Sequence, residues 1–95
     1  MLQVLSPFDQ SVIQEIPLEG AEKVEQVLAK AHRLFKNSDG WLSAHQRIKI
    51  LENTVEIMKI RKNELIDTAA KEGGKPYNDT VVEVERAING VKLAI

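Results

Sequence analysis

The spacing of the apolar residues changes once along this chain, and this change limits the folds that the chain can adopt. Before residue 20, β-branched residues form two short stretches of the kind found in strands. From Ala21 onward, apolar residues recur at the i, i+3, i+4 and i+7 spacing of one helix face. The sequence therefore predicts a mostly α chain, more than half helical, with strand confined to its N-terminal segment.

Residues 1–20 are predicted to form a β-hairpin. Residues 6–9 (Ser-Pro-Phe-Asp) favour a turn, because proline fixes its own φ and aspartate can accept hydrogen bonds from nearby backbone. The flanking stretches predict strands near residues 2–5 and 11–17, and the segment closes at Gly20. An isolated two-stranded hairpin is marginal in water, so we expect it to lie against the rest of the chain.

Residues 21–95 are predicted to form three or four amphipathic helices. The first ends at residues 37–40, whose types tolerate the left-handed conformation, and Ser43 with Gln46 has the capping-box spacing that opens the second. Asn63 either caps a third helix or marks a bend in the second. Gly73-Gly74 then stops the helix, and Pro76 suits the first turn of the last one.

Composition narrows the classes of partner and chemistry. The 95 residues suit one small domain, and the net charge of −1 argues against nucleic acid or an anionic membrane as a partner. The chain has no cysteine, which excludes disulfides and thiol nucleophiles within it. It shows neither a secretory signal nor an apolar run long enough to span a bilayer, so a cytoplasmic location is expected.

Few residues suggest chemistry by themselves. His32 and His45 lack the spacing of a zinc site and are interpreted as exposed helix positions. Gly73-Gly74-Lys75 departs from a phosphate-binding loop, so a helix stop and restart is the favoured interpretation, with Glu72 able to pair with Lys75 across the turn. We interpret the remaining candidates as an acidic solvated face and a loop anchor: Asp79, Glu83, Glu85 and Trp41.

Four segments, correctly ordered, resemble the aldehyde dehydrogenase superfamily. Residues 6–13 resemble its N-terminal hairpin, and residues 24–35 (VEQVLAKAHRLF) are similar to its first helix. Trp41 with residues 45–51 resembles the following W…R-x-x-(I/L)-L segment, and residues 71–84 are similar to the E-x-G-K-P…E-V signature. Gln10 departs from this pattern, since the family usually has glycine at the hairpin tip, which leaves the turn type open.

The resemblance implies that residues 1–95 are one fragment, the N-terminal part of an α/β aldehyde dehydrogenase fold. Residues 1–20 would be the hairpin, and residues 21–95 a helical layer of the cofactor-binding domain. The parent enzyme would oxidise an aldehyde to a carboxylic acid with NAD or NADP, using a cysteine nucleophile and a glutamate base. Both catalytic residues and the dinucleotide site come later in family order, so this chain is expected to be inactive and to bind no cofactor.

The resemblance also implies one ion site. Many relatives hold a monovalent cation on backbone carbonyls, and the matching positions here are Val4, Leu5 and Glu83.

The last apolar period runs to Ile95 without a stop signal, which favours a fragment whose main partner is the remainder of the parent enzyme. The alternative is a free-standing helical module for protein interaction or oligomerisation. In the isolated fragment, surplus apolar residues would be left uncovered, which predicts that the chain pairs with itself, most simply as a twofold dimer. These residues flank the stripes of the second and fourth helices: Ile50, Ile57, Val82 and Leu93.

Overall fold

The N-terminal segment forms the predicted hairpin in the computed structural model, which describes all residues from Met1 to Ile95. Strand β1 (Leu2–Leu5) pairs antiparallel with β2 (Val12–Ile16), and an irregularity between Val4 and Leu5 shifts the register. The turn is closed by Asp9, whose Oδ1 accepts hydrogen bonds from the Ser11 hydroxyl (2.7 Å) and the Ser11 amide (3.0 Å). These bonds favour the carboxylate and lower the pKa of Asp9.

Four α-helices follow, and 68% of the residues are helical, which confirms the predicted mostly α fold. They are α1 (Ala21–Lys36), α2 (Ala44–Ile60), α3 (Lys62–Gly73) and α4 (Tyr77–Leu93). A single 3₁₀ turn, Ser38–Gly40, lies between α1 and α2.

The helix boundaries agree with the sequence signals in part. The capping box of α2 is complete, because the Ser43 hydroxyl accepts the Gln46 amide and the Gln46 side chain accepts the Ser43 amide. Helix α1 ends at Lys36, directly before the residues predicted to end it, and none of these adopts the left-handed conformation that they tolerate; Asn37 has φ −97°. Asn63 is also not a cap, because α3 begins at Lys62 after a break at Arg61.

Helices α2, α3 and α4 share a small core. Partly buried residues pack around its four buried apolar side chains. The four buried residues are Val55, Ile66, Val84 and Ile88. Thr80 is also fully buried, and its hydroxyl donates to the Pro76 carbonyl oxygen at 3.0 Å. This bond satisfies the one buried polar side chain, which would otherwise destabilise the core.

Helix α1 and the hairpin lie outside this core. No residue of α1 is buried, and the Cα radius of gyration is 17.8 Å, compared with about 12 Å for a compact chain of this length. The molecule is a thin layer of 49 × 35 × 16 Å. The hairpin was expected to lie against the rest of the chain, but its apolar side chains, including Phe8 at 95% exposure, remain largely in solvent.

One close contact connects the hairpin to the helices. Gly74 ends α3 in the left-handed conformation (φ 60°), and a Cβ built on it would lie 3.2 Å from the Cβ and Cγ of Pro7. The backbone conformation and the proline therefore both favour glycine at this position.

Replacing Gly74 with alanine should destabilise the chain by about 1–2 kcal/mol, because alanine disfavours a positive φ and its methyl group would press on Pro7. Gly90→Ala is the matched control. Gly90 lies in α4 with no atom within 4 Å of a built Cβ, so alanine should stabilise the helix by up to about 1 kcal/mol. Urea unfolding of both variants measures the difference, and equal effects would contradict the proposed contact.

Candidate functional site

Both histidines lie on exposed helix positions, as the sequence predicts. His32 is on α1 and His45 is in the first turn of α2. No three histidine, cysteine or acidic side chains are grouped to hold a metal ion, and no helix is long and apolar enough to cross a membrane.

The Gly73-Gly74-Lys75 segment is a helix stop and restart. Gly74 provides the left-handed cap of α3, and the Lys75 ammonium contacts both carboxylate oxygens of Glu83, at 2.9 and 3.1 Å. The possible Glu72–Lys75 pair does not form, because α4 brings Glu83 to the lysine instead. The ammonium that a phosphate site would need is thus bound to a carboxylate.

The acidic residues of α4 are exposed and mostly paired. Glu83 binds Lys75, and Glu85 binds the Lys62 ammonium of α3 at 2.7 Å. Asp79 lies in the first turn, where the helix dipole favours an acid. The Lys62–Glu85 pair connects α3 to α4, and the Lys75–Glu83 pair connects α4 to the turn that precedes it. Neither pair could be predicted from the sequence, because neither has the spacing of neighbours on one helix.

The residues proposed to hold a monovalent cation lie on two elements. Val4 and Leu5 occupy the end of β1, where the register shifts, and Glu83 lies in the second turn of α4. The contact between Pro7 and Gly74 connects these two regions of the chain.

Trp41 anchors the loop between α1 and α2, as predicted. Its indole Nε1 donates to the Leu34 carbonyl oxygen at 2.9 Å, and its ring packs on Phe35 with a centroid distance of 5.7 Å. The bond satisfies a carbonyl in the last turn of α1, where helices lack internal donors. An open groove of about 470 Å³ lies here, lined by Leu34, Phe35, Asn37, Gly40, Trp41, Leu42 and Arg47.

The apolar stripe of α1 is exposed to solvent along the helix. Its large side chains are 51–64% exposed: Val24, Val27, Leu28, Leu34 and Phe35. A second open groove of about 410 Å³ lies at its N-terminal end, lined by Glu19, Lys23, Val24, Val27 and Leu28. We call the stripe and its two grooves the α1 face. Such a surface is suited to docking another protein surface.

A sequence model of the aldehyde dehydrogenase family matches residues 1–95, the whole chain. The chain belongs to the aldehyde dehydrogenase family. It is 33% identical over 93 residues to a lactaldehyde dehydrogenase of Methanocaldococcus jannaschii, covering 98% of this chain and 20% of that protein. It is 31% identical over 96 residues to malonate-semialdehyde dehydrogenase 2 of Bacillus cereus, covering 99% of this chain and 19% of the relative.

A solved aldehyde dehydrogenase-type structure has the same arrangement. The chain superposes on glyceraldehyde-3-phosphate dehydrogenase GapN of Methanocaldococcus jannaschii, complexed with NADP, with a TM-score of 0.89 and 32% identity. The match covers 99% of this chain and 20% of GapN. The chain thus spans about one fifth of the length of its relatives and corresponds to the N-terminal part of the family fold.

The departure at Gln10 is accommodated within the aldehyde dehydrogenase hairpin. Gln10 has φ 61°, the left-handed conformation that glycine adopts most readily. The residue type changes here, while the backbone conformation remains one that suits glycine.

Proposed function

We propose that this chain is the N-terminal segment of an NAD(P)-dependent aldehyde dehydrogenase whose complete chain oxidises an aldehyde to a carboxylic acid. The observation that supports it most strongly is the family match over the whole chain, together with 32% identity to GapN at a TM-score of 0.89. The relatives are named for different aldehydes, so the proposal extends to the aldehyde class and to a cytoplasmic location, but not to a particular substrate.

The residues of this chain do not fit a dinucleotide. The only glycine pair followed by a lysine caps α3, and its lysine ammonium is bound to Glu83. The chain has no cysteine to act as a nucleophile. We therefore assign NAD(P) binding and the chemical steps to residues of the parent enzyme outside this segment, and to this chain a structural role.

That role is a layer on the cofactor-binding domain, formed by the hairpin (residues 1–20) and the helices (residues 21–95). The support is physical, because the apolar face of α1 stays more than half exposed within this chain. Burying apolar surface contributes about 25 cal/mol of free energy per Å², so covering roughly several hundred Å² would stabilise the complete enzyme by about several kcal/mol.

We also propose that backbone carbonyls of Val4, Leu5 and Glu83 contribute to a monovalent-cation site of the complete enzyme. The close contact of Pro7 with Gly74 supports this, because it joins the chain just after β1 to the turn before α4, which carries Glu83.

The purified 95-residue chain should show no NAD(P)-dependent aldehyde oxidation and no measurable dinucleotide binding, whereas the complete parent chain should reduce NAD(P) when an aldehyde is added. Reduced nicotinamide absorbance measures turnover, and repeating the assay in potassium chloride and in choline chloride tests the cation site. Turnover by the short chain that persists through a contaminant check would refute the assignment of chemistry to other residues.

A second candidate function, a helical oligomerisation module, is favoured by one further observation. The residues flanking the stripes of α2 and α4 are 44–81% exposed: Ile50, Ile57, Val82 and Leu93. We propose that the isolated chain uses them to form a twofold dimer, in which both copies bury the same surface.

Light scattering coupled to size exclusion should give a mass about twice 10.7 kDa at high micromolar concentration. Ile57→Asp should shift the chain toward monomer, because it places a charge in the apolar interface. His45→Asp is the control and should leave the mass unchanged, because His45 is exposed on the same helix but lies on a different face from Ile50 and Ile57. A sharp wild-type monomer whose unfolding does not depend on concentration would refute self-association.

A further inference from the structure

The basic residues of the α1 face have no partners within the chain. Five ion pairs are present, and none of them involves α1. Lys23 lines the groove at the N-terminal end of the face, and Arg47 lines the groove at its C-terminal end. Neither has a carboxylate within ion-pair distance, although Glu19 also borders the first groove.

Helical spacing places a second lysine on the same edge. Lys23 and Lys30 are seven residues apart, and Lys30 is a helical neighbour of both Val27 and Leu34 in the stripe. Glu25 and His32 lie along the opposite edge. One edge of the α1 face is therefore basic over two turns.

We propose that the α1 face binds an apolar surface edged by carboxylates, which belongs to the later part of the same polypeptide, and that these carboxylates pair with Lys23 and Lys30. This inference rests on the proposed function. Two unpaired lysines beside an apolar stripe favour a partner surface whose rim carries carboxylates, because opposite charges complement each other across an interface. We assign the partner surface to the same polypeptide because the superposed relative has four-fifths of its chain outside the matched segment.

A second copy of the chain fits this face less well. In an antiparallel twofold pair of α1 helices, the same edge of each helix faces the other copy. The lysine edges would then lie side by side, and like charges at such positions destabilise the pairing. A parallel pair would instead place the lysine edge near Glu25 of the other copy, and cross-linking between copies would detect this arrangement.

Carbodiimide cross-linking of the complete parent chain, with peptide mapping by mass spectrometry, tests the proposal, because this reagent joins only amines and carboxylates in contact. Lys62–Glu85 (2.7 Å) and Lys75–Glu83 (2.9 Å) are internal positive controls. We expect Lys23, Lys30 or both to be joined to aspartates or glutamates beyond residue 95. If both controls form and neither lysine is joined to a later residue, the proposal is wrong.

Mixing isotopically labelled and unlabelled protein identifies links between copies. Links from Lys23 or Lys30 to Glu25 of another copy would assign the face to a parallel dimer and overturn the proposal. A complete chain with no residues after Ile95 would overturn it as well. Failure of the proposed function is distinguishable, since it appears as a complete chain that carries the cross-links and oxidises no aldehyde.

A pair of double variants provides an independent measurement. Lys23→Gln with Lys30→Gln is compared with Lys71→Gln with Lys92→Gln, which removes equal charge elsewhere. Lys71 and Lys92 lie in the last turns of their helices, where the dipole favours a cation, so the isolated 95-residue chain supplies the baseline difference between the two double variants. In the complete chain, the melting temperature of the Lys23 and Lys30 variant should fall by about 3 °C or more beyond that baseline. The same difference in both chains would contradict the pairing.

Discussion

Packing among four side chains holds the helical part of this molecule together. Val55, Ile66, Val84 and Ile88 are the only buried apolar residues, and they fix α2, α3 and α4 against one another. The rest of the chain depends on this small cluster. Helix α1 is joined to α2 through the loop that Trp41 anchors, and the hairpin meets the end of α3 where Pro7 packs on Gly74.

A core of this size leaves most of the apolar surface uncovered, and the arrangement accounts for the shape of the molecule. An isolated helix of 16 residues is marginal in water, and α1 gains little from packing within the chain. In a larger protein, packing of other residues on its apolar stripe would stabilise α1. The aldehyde dehydrogenase match supports this account, because GapN has the same arrangement within a chain five times as long.

The sequence predicted the local elements well, since their signals are local. The apolar period located α1, the Ser43 and Gln46 pair located the start of α2, and the glycine pair located the end of α3. Periodicity identifies which face of a helix is apolar, but not what covers it, so the exposure of α1 could not be read from it. The Lys75–Glu83 pair and the burial of Thr80 depend on how α4 packs, which spacing alone does not determine.

We propose above all that α1 is completed by another part of an aldehyde dehydrogenase chain. Amide hydrogen exchange of residues 21–36, compared between the 95-residue chain and the complete parent protein, tests it most directly. We expect α1 to exchange faster than α4 in the short chain and to slow by about tenfold or more in the complete protein. Equal protection of α1 in both proteins would show that the helix needs no partner and would contradict the account.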